Sequence, residues 1–251
     1  MEPGKSSFRA LVLVFGSESE SLTHLIEDKI FQLLDYRTNI DPDKQWVWLE
    51  DEGLPEIRVC WAEYTIKSRD AYEGYDYYFL AGELDSGEVA GARKMIRDLF
   101  LEKEFYMTFL LPSAGRRLKR IFENECLLTQ PDNLFLREQA IVDFVHDFCA
   151  FEILPNLVSV DLAEYAGQIR GKIANLEYFD YFPEQLDREL SCKTMPTFLF
   201  LLILIDDKHD NLEIIDGLIK PLAKYENLDY SVTDVNYIGL NRVLCLYTLK
   251  E

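Results

Sequence analysis

Residues 75–115, YDYYFLAGELDSGEVAGARKMIRDLFLEKEFYMTFLLPSAG, hold one complete β–α–β unit. Tyr77-Tyr78-Phe79-Leu80-Ala81 has the pattern of a buried strand and enters the turn Gly82-Glu83-Leu84-Asp85-Ser86-Gly87-Glu88. A helix is expected from about Val89 to Phe100, and Phe105–Leu111 reads as a second buried strand, stopped by Pro112 and Gly115. The opening stretch FRALVLVFGSESES (8–21) repeats the pattern, with Leu11–Phe15 running into Gly16 and then a helix. Such strand-to-helix turns in α/β domains let backbone N–H groups close on a phosphate. Here the glycines are accompanied by Glu18, Glu20, Glu83, Asp85 and Glu88. A carboxylate within about 5 Å of a phosphate costs roughly 3 kcal/mol at an effective dielectric near 20. Several together outweigh what isolated glycines contribute.

A chain of 251 residues can bury a good core as one large domain or two closely packed ones. An apolar content of 48% with 13% aromatics excludes a disordered chain. The net charge of −19 argues against nucleic acid and anionic membrane as partners, since both call for basic surface. Cys60, Cys126, Cys149, Cys192 and Cys245 are odd in number and scattered, as are His24, His146 and His209, so neither a disulfide framework nor a zinc site is expected. No signal peptide is read at the start, and the longest apolar run, Phe198–Ile205, is too short to span a bilayer. The expectation is a cytoplasmic, reduced, metal-free protein.

Apolar strands alternate with amphipathic helices through the first half, which predicts a mainly parallel sheet covered on both faces. Leu22, Leu25, Ile26, Ile30, Leu33 and Leu34 recur at helical spacing, and Trp46-Val47-Trp48 and Ile57–Trp61 read as strands. Residues 116–125 set Leu118, Ile121 and Phe122 among charges as an amphipathic helix would. Arg116, Arg117, Lys119 and Arg120 form the one dense basic cluster, read as a solvated helix face with a docking patch as the alternative. A long helix is expected from Leu134, after Pro131-Asp132-Asn133 with an acidic N-cap. Its stripe is Phe135, Leu136, Ala140, Ile141, Phe144, Val145, Phe148 and Cys149. Asn156–Val160 leads to a helix containing Tyr165, Ile169 and Ile173. Phe198–Ile205, Tyr230–Val232 and Val243–Leu249 read as strands, with a helix over Leu212–Leu222.

This order resembles the tubulin/FtsZ family. The 75–115 stretch resembles its strand, signature glycine loop, helix and strand, where the loop reads close to GGGTGSG; Gly82 and Gly87 match, and Glu83, Asp85 and Glu88 interrupt. FGSESES lies where the family's first glycine loop lies and keeps Gly16. The third phosphate-facing loop has no matching glycine–alanine cradle. Asn156–Tyr165 (NLVSVDLAEY) resembles the synergy loop, roughly GxxNxDFADV, which in the family enters the next subunit's nucleotide site. Asp161 and Glu164 match its acidic positions, and Ser159 replaces the asparagine. Acidic residues in a first helical turn also stabilise the helix dipole whatever the function.

The resemblance implies an α/β fold with a mainly parallel sheet domain, a long core helix and a second, smaller α/β domain. Residues 8–133 would be a degenerate nucleotide-binding-like domain, 134–152 the core helix and 153–251 an activation-like domain. The interrupted loops imply no cofactor, GTP included. Gly16, Gly82 and Gly87 are then relics of a phosphate cradle, and Asp161, Glu164 and Ser159 a vestigial synergy loop, with no catalytic residue and no metal ligand. The expected function is non-catalytic, through protein–protein contacts that cap or modulate a cytoskeletal filament, on a conventional FtsZ/tubulin-like partner or by self-association. The alternative is an active GTPase with unconventional phosphate loops, its phosphate held by N–H groups at a helix start. An ordinary metabolic α/β enzyme finds no Ser/His/Asp order, metal cluster or Cys–His pair, and the Gly-x-Ser of 16–21 lacks the second glycine of a nucleophile elbow.

Overall fold

The first strand, β1 (Arg9–Phe15), is buried almost throughout and divides its side chains between two cores. Ala10, Val12 and Val14 face one, and Leu11, Leu13 and Phe15 the other, which is the period-two alternation of a strand covered on both sides. The computed structural model describes residues 8–39, 55–61, 69–100, 107–116, 118, 120–131, 133–154, 156–158, 167–180, 196–205, 220, 228–234 and 242–249. After β1 come α1 (Ser19–Asn39), β2 (Glu56–Trp61), β3 (Tyr77–Glu83), α2 (Gly87–Phe100), β4 (Met107–Ala114) and β5 (Glu125–Thr129). The long core helix α3 (Glu138–Ile153) precedes β6 (Asn156–Val158), β7 (Lys172–Asp180), β8 (Pro196–Ile205), β9 (Leu228–Asp234) and β10 (Arg242–Leu249).

Among the described residues ten strands make one mainly parallel sheet in the order β2-β1-β3-β4-β5-β7-β10-β8-β9-β6. Only β10, which runs antiparallel to β7 and β8, and β6, antiparallel to β9, break the common direction. The halves meet without a gap, because β5 pairs in parallel with β7 from Cys126↔Lys172 to Thr129↔Asn175. Helices α1 and α3 share one face and α2 covers the other. The chain leaves β1 for β2 on one side and returns to β3 on the other, so the order reverses between β1 and β3. A crevice at the carboxyl ends of those strands is the consequence.

Helix α3 joins the halves. Phe144 is 0% and Phe148 2% exposed. Their rings meet Phe109 edge-to-face at centroid distances of 5.0 and 4.8 Å, and Phe148 meets Phe79 at 5.7 Å. Phe151, one turn on, reaches Phe200 of β8 at 6.1 Å. Asp143 and Asp147, four residues apart and so on one helix face, both pair with Arg242 at the start of β10, and His146 Nδ1 lies 2.7 Å from Asp147 Oδ1. At the helix end Arg37 donates from Nε to the Ile153 carbonyl at 3.1 Å, tying α1 to α3.

Four sequence expectations are corrected. Residues 116, 118 and 120–124 form no helix. Phe122 donates its N–H to the Glu125 side chain at 2.8 Å and accepts the Glu125 N–H at 3.0 Å in a turn, and Leu118 and Ile121 lie against the α2 core. Strand β4 continues through Pro112 to Ala114, and the missing N–H is accommodated by a register shift after Gly82↔Pro112. Helix α3 starts at Glu138 with Arg137 as an N-cap lacking a side-chain bond. The preceding N–H groups are already committed, Phe135 to Asn133 Oδ1, Leu136 to the Pro112 carbonyl and Arg137 to Gln130 Oε1. Ile173 belongs to β7, since its segment pairs along β5 and β10. The expected strand at Trp46–Trp48 and helix over Leu212–Leu222 fall outside the described residues, the lone Lys220 apart.

Replacing Phe144 or Phe148 by Ala should cost about 3–5 kcal/mol through the cavity it leaves, read as a shift of the urea unfolding midpoint at unchanged slope. A second expectation concerns Glu152 of α3. Burial lifts its carboxyl to about 8, outweighing a hydrogen bond from Tyr77, with Asp76 adding repulsion, and its Oε1 has no hydrogen-bond partner. A folded pKa above the unfolded 4.5 means that this stabilisation is complete below 4.5 and is lost as pH rises towards 8. Glu152→Gln should therefore gain on the parent protein progressively from about pH 5 to about pH 8 in parallel urea titrations.

Candidate functional site

Strands β1 and β3 close on each other at Phe15↔Gly82. Gly82 has φ +99°, and a Cβ there would sit 2.1 Å from the Phe15 carbonyl oxygen, so only glycine lets the two strand ends meet. Gly16 has φ +103°, and the volume its missing side chain leaves is filled by Glu83, whose Cγ would lie 2.6 Å from a Cβ at residue 16. The Glu83 carboxylate crosses from the end of β3 to the start of α1. There it accepts hydrogen bonds from Ser17 N–H at 3.2 Å and Ser17 Oγ at 2.7 Å. Free N–H groups and a favourable dipole make a helix start an anion site, and the turn entering this one already holds an anion from its own chain.

The remaining acidic residues separate. Asp85 turns to the end of β4 and accepts the Arg116 N–H at 3.1 Å. Ser86 caps α2 by accepting the Val89 N–H at 3.3 Å, and Gly87 faces open space. Glu20, Glu83 and Glu88 line a cleft of about 390 Å³ with Gly16, Ser17, Ser19, Ser86 and Trp61. A neighbouring slot of about 370 Å³ has Phe15, Leu22 and Leu136 in its lining and Glu18, Asn133, Arg137 and Glu138 among its polar groups. Within it Glu138 is raised above the usual carboxylate range, first by its hydrogen bond with Glu18 and then by partial burial.

The structure thus brings Gly16 and Gly82 together and sets Gly87 one turn away, at the start of α2. Asp161, Glu164 and Ser159 lie outside the described residues. Sequence reasoning missed Glu138, Trp61 and the role of Ser17. Ser17 was detectable as a hydroxyl side chain next to a turn glycine. Glu138 was hidden inside a run read as uninterrupted helix. Among the described residues no cluster of His, Cys, Asp and Glu is placed to hold a metal ion.

Gly82→Ala should destabilise the fold by well over about 1 kcal/mol, because positive φ and a backbone clash act together. Gly87→Ala, in open space at a helix start, should be neutral or mildly stabilising. Thermal melts of the pair check this, and equal behaviour would contradict the close approach of β1 and β3.

No family model and no curated protein matches this sequence. Solved structures do. A point mutant of FtsZ from M. jannaschii superposes with a TM-score of 0.61 at 10% identity, over 96% of this chain and 91% of the other. CetZ from Methanosaeta thermophila gives 0.54 at 11% identity over 96% and 86%, and CetZ2 from Haloferax volcanii, solved as a GTPγS-bound protofilament, 0.56 at 11% over 97% and 93%. At such identities the likeness is one of fold. The chain has the tubulin/FtsZ-like fold, α/β with a mainly parallel sheet and a long core helix.

Proposed function

We propose that this protein is a non-catalytic member of the tubulin/FtsZ-like fold that does not hold GTP and acts through protein–protein contacts on a cytoskeletal filament. The observation that carries the reading is the Glu83 carboxylate on Ser17, in the turn that leads into α1. A phosphate entering there must displace an internal anion already bonded at 2.7 Å. It then meets Glu20, Glu83 and Glu88 around one cleft. Each would oppose it by roughly 3 kcal/mol at about 5 Å and a dielectric near 20. The structurally similar CetZ2 is solved as a GTPγS-bound protofilament, which supports a filament, of a conventional FtsZ-like protein or of this chain itself, as the setting of those contacts. In the proposal the nucleotide-facing surface is silent, and Asp161 and Glu164 of the synergy-like loop form the other face. Such a subunit adds to one end of a partner filament and caps or modulates it.

A second reading, an active GTPase with unconventional loops, draws support from the slot beside α3. Its apolar lining and the paired carboxyls of Glu18 and Glu138 suit a flat heterocycle with N–H donors.

Calorimetry with GTP, GDP and ATP in magnesium buffer should show no saturable heat; a micromolar dissociation constant for GTP favours the second reading. In sedimentation, substoichiometric amounts of the protein should change the polymer mass or GTP turnover of a conventional FtsZ. Asp161→Ala and Glu164→Ala should weaken that effect without unfolding the protein. Unchanged polymer and turnover reject the filament role.

A further inference from the structure

Phe122, in the connection between β4 and β5, has three guanidinium groups over its ring. Arg93, Arg97 and Arg120 lie 4.9, 4.8 and 5.2 Å from its centroid. One of them is structural. Arg93 binds Glu125 through two bonds of 2.7 and 2.6 Å, with side chains 10% and 2% exposed, and donates to the Arg120 carbonyl at 2.6 Å. That buried pair fixes both the ring and the backbone of Arg120. The other two are turned outward. Besides the ring, Arg97 meets the neighbouring Asp98 at 3.4 Å, with both side chains more than a third exposed, and the exposed Arg120 side chain rests on the ring. Lys94 on α2 and Arg116 at the start of the connection are exposed as well. Among the described residues the carboxylates of α2 and the β4–β5 connection are Glu88 in the first helical turn, Asp98 and Glu123, while Glu125 is held by Arg93 and the nearby Asp85 accepts the Arg116 N–H.

Cations collected in this way contrast with a net charge of −19. Stacking on one ring extends Arg97 and Arg120 and removes much of their rotamer freedom in advance, so a carboxylate meets a fork already in place. We propose that the face made by α2 and the β4–β5 connection is a docking surface for an acidic peptide segment of a partner protein.

Charge complementarity selects that occupant. Screening at physiological salt acts over about 8 Å, so a short acidic segment senses the patch alone. A nucleic acid or an anionic bilayer would extend past it over a strongly acidic surface and be repelled. The surface uses none of the residues lining the Glu83 cleft or the Glu18–Glu138 slot, so it stands whether or not a nucleotide binds.

The test is fluorescence anisotropy on the full chain with a short fluorescein-labelled peptide alternating Glu and Gly, against the same peptide with Gln for Glu. Saturable binding of the Glu peptide alone, weakening with salt, is expected. The double variant Arg97→Gln/Arg120→Gln should lose at least about tenfold in affinity, and Lys94→Glu should weaken binding too. Lys172→Gln, exposed on β7, should leave it unchanged. Should circular dichroism show the double variant unfolded, Lys94→Glu decides, because Lys94 is exposed on α2 three residues before Arg97 and so shares its helix face. Three results would overturn the proposal. They are no binding of the Glu peptide at low salt, equal loss in the Lys172 variant, and tighter capture of oligothymidylate or phosphatidylserine vesicles than of the peptide.

Discussion

The packing of α3 on the middle of the sheet is the contact on which both halves of the molecule depend. Phe144 and Phe148 present their edges to Phe109, and Phe148 and Phe151 extend the aromatic row from β3 to β8. Edge-to-face pairs of this kind contribute about 0.5–1.5 kcal/mol each beyond the area they bury. Polar bonds fix the helix register. Asp147 is fully buried and is met by His146 and Arg242, so α3 can slide along β10 only by leaving a charge unpaired. Such a rupture costs about 3–5 kcal/mol. Position along the sheet and attachment to it thus have different physical sources.

With that helix in place, the space above β1 and β3 is narrow. The strand ends meet at a backbone distance only Gly82 permits, and the residue after it must send its side chain towards α1. A glutamate in that position lands on the N–H and hydroxyl of Ser17, in the turn just before the helix. The tertiary contact has converted a feature often open to ligands into an internal hydrogen bond. The same logic links Asp85 to the turn after β4, where Gly115 has φ +106°. Carboxylates here act as turn caps of the fold, a role independent of any ligand.

Charge is sorted across the surface. Glu20, Glu83 and Glu88 gather at the carboxyl end of the sheet, while Arg97 and Arg120 lie on the α2 side. Under the proposed function the first group closes a nucleotide site and the second offers a handle for a partner. No helix among the described residues is long and apolar enough to cross a membrane.

The sequence by itself determined the β–α–β units around β1 and β3, the long apolar helix and the strands β8, β9 and β10. Their apolar periodicities are long enough to separate period 2 from period 3.6. It also marked Gly16 and Gly82 as special, because glycine between strand and helix has few other uses. It did not reveal β5 or β7. Glu125–Thr129 is too short for a period, and in Lys172–Asp180 the exposed Ile173 and Lys172 blur the alternation. Residues 116–125 looked helical because the spacing of Leu118, Ile121 and Phe122 among charges carries no record of Glu125 pairing with Arg93. Only the tertiary structure decided where the acidic residues point. Glu83 reaches Ser17 across 66 positions and Arg93 reaches Glu125 across 32, and such distances close through the order of strands in the sheet, which no local pattern encodes.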